Sequence, residues 1–376
     1  MNDGYCLSKT YARPIVGILI KDNHAAKLIE RQEPLKKHLC LLRANEEAKT
    51  TIYFFSINDL HENLVYGIAY NKVLGRWERH KLPYPDVVYK SYGTKKEHKL
   101  NNVFLKQLER RDIRTLNYLF TFNKWEVYNY LSQNKSIGPH LPDTIYYSTP
   151  DDLKKMLKMY SKVYLKECQS SLGRGVLSIS KLPLGGYEIK YYINRLHIIK
   201  TDDFNNLVNE VQKFYGKRSF LIQEAIDLVE IDNSIVDMRA ELQKNGHGDI
   251  VIAALSLRIG NKNAPITTHA ASIKFEAFFK SYMKYSDEAV IILKNRISKL
   301  LKIIYNCLEQ YYGPTGELSI DIGLDKRDHL WFIENNCLSS KVSFYKAYDM
   351  NTIHKSYVNL LEYAKFLYKT KLGLRQ

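Results

Sequence analysis

The sequence predicts a mixed α/β protein of the α+β kind, and three observations carry that expectation. Short apolar runs alternate with charged, helix-compatible stretches through the opening part of the chain. Two pairs of strand-like runs, within 163–179 and 237–258, flank glycine-containing turns in the manner of antiparallel hairpins. A long amphipathic stretch over 289–312 stops at Gly313-Pro314 and leads into two further strand-like runs.

The elements follow in order. Ile15–Ile20, Thr51–Ile57 and Asp86–Tyr89 read as short strands of a small α/β unit, with Pro83 and Pro85 punctuating the approach to the last. His24, His38, His61 and His80 read as surface residues rather than ligands. From Asn117 the character changes. Asn123–Leu131 has helical apolar spacing at Trp125, Tyr128 and Leu131, and Ile145–Tyr147 is a strand. Asp151–Tyr160 places Leu153, Met156, Leu157 and Tyr160 on one helical face. Val163–Lys166 and Val176–Ile179 form a hairpin with a small-residue tip. Phe220–Glu224 is strand-like, and Asp237–Gln243 pairs with Ile250–Arg258 around Asn245-Gly246-His247-Gly248. Leu318–Ile322 and Leu330–Glu334 follow the long helix, and Thr352–Leu372 closes the chain as a basic helix. The expected division is 1–115, 116–225 and 226–376.

Bulk properties narrow the class. With 376 residues the chain can bury two or three cores. The apolar run at Ile15–Ile20 is too short for a signal-peptide core, and no stretch approaches the roughly 20 apolar residues of a membrane span. The expectation is a cytoplasmic protein without membrane insertion. Five scattered cysteines with no C-x-x-C fit neither a disulfide framework nor a zinc site. A net charge of +16 attracts anions but is spread along the sequence, so nucleic acid is not the expected partner. The 29 tyrosines suit amphipathic positions at core edges.

Two constellations carry chemistry. At the hairpin tip, Lys166 is followed by Ser170, Ser171, Gly173, Arg174 and Gly175. Small residues let a backbone approach a phosphate, and successive N–H groups can point at its oxygens. No Walker A sequence is present, and a G-x-G tip alone is more often a tight turn. The second is oxygen-rich. Glu334 and Asn336, two apart on a strand, project to one side, with Asp321 beside them. Such ligands suit Mg²⁺, which keeps several waters and bridges to phosphates; an ordinary acidic surface strand would look the same.

Taken together, Lys124, Lys166, the Ser/Gly hairpin, Gln223-Glu224-Ala225-Ile226, Asp237-Met238-Arg239, Asp321 and Glu334-Asn335-Asn336 resemble the ATP-grasp superfamily in order and spacing. The nearest resemblance is to its YheC/YheD-like, endospore coat-associated branch, through NKWEVYNYLSQN, LPDT, VYLKECQSSLGRGV, LIQEAIDLVEIDNSIVDMRAELQKNGHGD and GELSIDIGLDKRDHLWFIENN. It covers residues 115–345 closely and 1–114 loosely. The resemblance implies an ATP-grasp fold behind an N-terminal pre-ATP-grasp α/β domain (1–115), with a lid and central subdomain (116–225) and a metal-bearing C-terminal subdomain (226–376).

It also implies roles. Lys124 and Lys166 would bind the α- and β-phosphates of ATP under a flap formed by Ser170–Gly175. The Glu224 carbonyl and Ile226 amide, beside Gln223, would read the adenine edge. Asp237 would hold the ribose, with Glu230 as the alternative. Arg239 and Arg258 would face the γ-phosphate or an acyl phosphate, and Asp321, Glu334 and Asn336 would hold Mg²⁺. The implied activity is ATP-dependent carboxylate–amine ligation on a peptide or amino-acid substrate, an acidic one in view of the basic charge. A non-catalytic, ATP-binding component of the spore coat is the alternative, and a homodimer or spore-coat partners are its implied associates. Phosphoryl transfer to a non-carboxylate would use the same site. Two departures bear on turnover. Thr267-Thr268-His269-Ala270-Ala271-Ser272 stands where peptide-ligase relatives carry Asn-x-x-Arg-Gly-Gly, and Cys337-Leu338-Ser339-Ser340-Lys341 replaces the usual Pro and Gly.

Overall fold

The computed structural model describes residues 11–91, 98–118, 121–170, 173–267, 271–337 and 341–373. Three sheets follow one another along the chain. The first contains Ile15–Leu19 (β1), Thr51–Phe55 (β2), Val65–Asn71 (β3), Arg76–Leu82 (β4), Val87–Lys90 (β5) and Arg114–Thr115 (β6), in the order β4-β3-β2-β1-β5-β6. Its centre is parallel: β1 pairs with both β2 and β5, and β5 with β6. Buried on both faces, β1 is apolar throughout, as a central parallel strand must be. Asp22–Ala26 (α1), Lys36–Ala48 (α2) and His98–Arg110 (α3) complete this part. The hairpin β3–β4 shows little apolar alternation, and the sequence reading passed over it.

The second sheet comprises Thr144–Tyr146 (β7), Lys162–Glu167 (β8), Val176–Lys181 (β9), Tyr187–Ile193 (β10), Arg195–Thr201 (β11) and Phe220–Glu224 (β12). Its order is β11-β10-β9-β8-β12-β7. Lys124–Leu131 (α4) precedes it, while Pro150–Met159 (α5) and Phe204–Tyr215 (α6) cover one face. Period-two alternation decides what each face does. Val163, Leu165 and Ile222 point into the core with α5 and α6, which leaves Lys162, Tyr164, Lys166 and Gln223 on the other side.

The third sheet carries Glu230–Ile231 (β13), Ser234–Lys244 (β14), Ile250–Ile259 (β15), Ala271–Lys274 (β16), Glu317–Leu324 (β17) and Leu330–Asn336 (β18). It runs β16-β15-β14-β17-β18, with β13 on β14. Phe275–Ser281 (α7) and the long Asp287–Tyr312 (α8) pack on its apolar face, where Met238, Ala240, Leu242, Leu257, Ile320 and Ile322 meet Phe278, Leu293, Ile297 and Leu301. Ser286 caps α8 by accepting from Ala289 N–H, and Gly313 ends it with φ +92°, a backbone geometry suited to glycine. Val342–Ala347 (α9) and Met350–Lys371 (α10) finish the described chain. The C-terminal helix does not stay with the third sheet: Ile353, Tyr357, Leu360 and Leu361 share a core with Leu41, Ala44 and Phe54 of the first part.

One sequence expectation is corrected here. His38 is not a surface residue; it is fully buried, its ring tilted against Phe54 at 4.9 Å between centroids, and it accepts from Leu35 N–H. Burial holds its imidazole neutral, pushing it down to about 3.

Candidate active site

The polar face of the third sheet is a set of cross-strand rows. Arg258 lies opposite Asp237. In the next row Ser256, Arg239, Asp321 and Glu334 are successive neighbours, and in the third Ala254, Glu241, Ser319 and Asn336. A bulge at Ile333 on β18, just before Glu334, shifts the register, so Asp321 meets Glu334 while Ile322 meets Phe332. Without that extra residue the two carboxylates would not face each other.

Charge on these rows is tightly paired. Arg239 Nε and Nη2 each donate to Asp321 at 2.6 Å, and Arg258 Nη2 adds a third bond at 2.9 Å. Burial alone would raise the Asp321 carboxyl, but the two guanidiniums outweigh it and hold it near 2. Arg258 also donates to both oxygens of Asp237, at 2.6 and 2.5 Å, and Thr267 Oγ donates to Asp237 Oδ2 at 2.6 Å. Burial pushes Asp237 up, opposed by Arg258. Despite burial, both arginines are raised by the carboxylates beside them.

Asp237, the expected ribose-binding acid, is engaged within the sheet's own network. It is 5% exposed, and both oxygens serve Arg258 and Thr267. Its carboxylate anchors Arg258. Glu230 is exposed, and its charge acts on Lys162 and Tyr164 of the facing sheet.

Two lysines approach from the other side. Asn123 caps α4, its side chain accepting from Trp125 and Glu126 N–H, and this fixes Lys124 at the helix start. Lys124 Nζ donates to Ser170 O at 2.8 Å and lies 3.8 Å from Glu334. Lys166 Nζ donates to Gln223 Oε1 at 2.6 Å, and Gln223 in turn donates to Thr144 Oγ at 2.9 Å. Burial lowers Lys166 to about 8; Glu334 opposes the shift and Lys124 adds to it. Asp321 and Asp237 also act on this amine, so the faces of the second and third sheets look at each other across one cleft.

The hairpin between β8 and β9 is shaped by close approach. Gly173 has φ +68°, and a side chain on Gly175 would meet Glu167 Cβ at 2.6 Å and Ser170 Oγ at 2.8 Å. Arg174 is exposed beside them. Ser171 lies outside the described residues, as does His269. At the other end of β12, Glu224 exchanges backbone contact with Asp143 O and accepts from Asp143 N–H on its carboxylate, both at 2.9 Å. Ile226 follows on the partly exposed connection to β13, its carbonyl accepting from Leu228 N–H.

The donors present fit a magnesium ion. Among the described residues no cluster of three or more His, Cys, Asp or Glu groups could hold a metal. Mg²⁺, however, needs only one or two carboxylates beside water and phosphate. Glu334 is a third exposed, and Asp321 Oδ1 accepts a single hydrogen bond, leaving a lone pair. Asn336 Nδ2 is buried without a hydrogen-bond partner, and a half-turn of the amide places its oxygen there.

Sequence reading missed Thr267 as the support behind Asp237, and it placed Gln223 at the adenine edge without its side-chain bond from Lys166.

A cleft between a lysine-bearing antiparallel sheet and an Asp/Glu/Asn-bearing one, behind a parallel N-terminal sheet, defines the ATP-grasp fold. Similar solved structures agree. VanG D-Ala:D-Ser ligase from Enterococcus faecalis gives a TM-score of 0.53 at 11% identity, covering 94% of this chain and 99% of that one. D-alanyl-alanine synthetase A from Vibrio cholerae gives 0.51 at 10%, covering 93% and 99%. Within that fold, residues 112–367 match the YheC/D like ATP-grasp family model, and the chain belongs to that family. Among curated relatives, the endospore coat-associated protein YheD of Bacillus subtilis is 25% identical over 86% of this chain and 72% of its own. The endospore coat-associated protein YheC of the same organism is 23% identical over 71% and 74%. No described helix is long and apolar enough to cross a membrane.

Proposed function

We propose that the chain is an ATP-dependent carboxylate–amine ligase that activates its carboxylate as an acyl phosphate. The observation that carries this reading is the convergence of Lys124 and Lys166 on the Arg239–Asp321–Glu334 row, with Lys124 Nζ 3.8 Å from Glu334. A carboxylate is a poor electrophile because amide formation must expel oxide. Phosphorylation supplies a leaving group, after which the amine attacks the acyl carbon and phosphate departs. The difficulty is bringing two anions together, and fixed cations relieve it. In this reading Lys124 and Lys166 neutralise the α- and β-phosphates, while Arg239 and Arg258, held rigid by buried carboxylates, face the γ-phosphate and the acyl group. Glu334, Asn336 and Asp321 would hold Mg²⁺, which when bound withdraws charge from the transferring phosphoryl group. The Glu224 carbonyl and Ile226 amide serve the adenine, and Glu230 takes the ribose role.

The substrate is a peptide or amino acid. The net charge of +16 favours an acidic one. Cytoplasmic action with association to the spore is the setting consistent with the relatives' names. Incubation with Mg·ATP, hydroxylamine and pooled amino acids or acidic peptides tests the reading, since an acyl phosphate yields a hydroxamate. ATP-dependent hydroxamate supports it; none from any pool counts against it.

A second reading, an ATP-binding coat component without turnover, is favoured by one feature. The 267–272 stretch lacks the Arg and Gly pair of peptide-ligase relatives, and its Thr267 is occupied in supporting Asp237.

A further inference from the structure

The first sheet divides at its centre. The chain leaves β1 through α1 and α2 for β2, and leaves β5 through α3 for β6 on the other side. α2 packs on one face, with Val16 and Ile18, and α3 on the other, with Ile15 and Leu19. All four strands run parallel. The carboxyl ends of β1 and β5 therefore frame the crevice at which α/β sheets of this kind take ligands.

A cation spans that crevice. Lys37 Nζ reaches from α2 to Ser91, just past β5, donating to its carbonyl at 2.8 Å and its hydroxyl at 3.3 Å. The Ser91 hydroxyl donates in turn to the carbonyl of Leu19, the last residue of β1, at 2.7 Å. Both partners of the amine are neutral, and among the described residues no carboxylate pairs with it. Glu317, whose charge does act on it, is paired with Lys341 and accepts from Tyr89 and Gln243. Burial lowers the amine to about 8, and Lys21 adds to the shift.

The local sequence makes this worse. α2 opens Lys36-Lys37-His38, with no acidic residue in its first turn. Helix starts favour carboxylates, because their free amides already concentrate positive charge. Lys36 lies over the Tyr345 ring, 4.4 Å from its centroid, and His38 packs against Phe54. Half-buried His24 is near, its imidazole held down by burial and then by Lys37 and Lys21. A buried cation without a counter-ion is costly, and a helix start that adds to the cost marks a place where local rules yield to function. The group that answers this setting is an anion. Its place relative to the cleft also fits. Tyr89, next to the end of β5, donates to Glu317 at the start of β17, so this edge of the first sheet abuts the strand that carries Asp321.

We propose that Lys37, at the crevice between β1 and β5, binds a carboxylate of the substrate other than the one that is activated. The proposal rests on the ligase reading and narrows its substrate to one with a second, non-reacting carboxylate.

The test uses sodium propionate as the probe. Propionamide has the same shape without the charge, and sodium chloride holds the ionic strength. Melting temperature is followed at pH 7 in the wild type, Lys37→Met and Lys166→Gln. Propionate should raise the melting temperature saturably and propionamide should not. Lys37→Met should weaken the propionate response at least about tenfold, the worth of a charged hydrogen bond, whereas Lys166→Gln should keep it. Because Lys37→Met removes a buried charge that lacks a counter-ion, it should also raise the melting temperature of the free protein. Equal responses to both probes, a response kept in Lys37→Met, or one lost in Lys166→Gln would each overturn the assignment. A Lys37→Met protein less stable than the wild type would make the amine a structural strut and overturn it too. Absence of hydroxamate from every substrate pool would instead sink the ligase reading, while the propionate titrations, which need no nucleotide, still judge the carboxylate site.

Discussion

Lys166 is the residue whose electrostatics say most about the site. Its amine is lowered to about 8 by burial, so at neutral pH it is charged and poised to be released of that charge by modest alkalinity. Nucleotide phosphates bind the protonated form. Affinity for Mg·ATP is therefore expected to fall above pH 8, by up to about tenfold per pH unit for one linked proton. Lys166→Arg should flatten that decline, and Lys166→Ala should weaken binding roughly 10- to 100-fold at pH 7, the range for a charged hydrogen bond. Calorimetric titration across pH 7–9.5 checks both, and a pH-independent wild type would remove Lys166 from the phosphates. Glu334 presents the opposite pattern. It is partly exposed and bound only at its margins, by Lys124 at 3.8 Å and Arg239 at 4.0 Å. Glu334→Gln should leave nucleotide affinity within a few-fold and cut turnover by at least about 100-fold; an active variant would strike the metal role from it.

The paired strands show what a sequence conveys and what it hides. β14 reads Asp237-Met-Arg-Ala-Glu-Leu-Gln243 and β17 reads Glu317-Leu-Ser-Ile-Asp321, clean period-two alternations that place both strands and their apolar face. Such alternation ordinarily means one wet side. Here the polar side is buried as well, under the neighbouring parts of the molecule, and nothing local announces that. The setting of Asp237 is a further case. Its position in the motif was legible, but its capture by Arg258 depends on cross-strand register. The bulge that pairs Asp321 with Glu334 is likewise invisible in a single strand. Two substitutions separate the alternatives. Arg258→Ala strands two buried carboxylates and should cost about 3–5 kcal/mol of stability, read by urea unfolding. Glu230→Ala should leave the melting temperature alone and weaken ATP binding about fivefold, the worth of one hydrogen bond. If Asp237→Asn weakens ATP while keeping full stability, the ribose contact belongs to Asp237 after all.

At the scale of the whole molecule, the first and last segments are joined: α10 packs into the core of the N-terminal sheet. The sequence placed the helix but not its partner, because an amphipathic stripe does not say which sheet it covers. Burial also acts on two lysines in the first part of the chain. Lys37 is pushed down to about 8 and Lys90 to about 7, chiefly by burial, and Lys90 donates to the Tyr118 carbonyl. The sign of the pH effect follows. Unfolded lysines keep their protons to about 10.4, whereas Lys90, Lys37 and Lys166 release theirs from about 7 to 8 when folded. The unfolded chain then holds more protons, so stability rises with pH. Thermal unfolding should show a melting temperature that climbs between pH 7 and 8.5, before the unfolded thiols, at about 8.5, begin to oppose it. A flat or falling profile would contradict the burial of these lysines.

Release of ADP and phosphate from Mg·ATP, measured as pooled amino acids and acidic peptides are added in turn, bears most directly on the proposed activity. Ligation predicts that one pool stimulates release and that a product appears with the mass of the amide. Tight ATP binding with no pool-dependent release would contradict it, and would leave the protein as a nucleotide-binding member of its family.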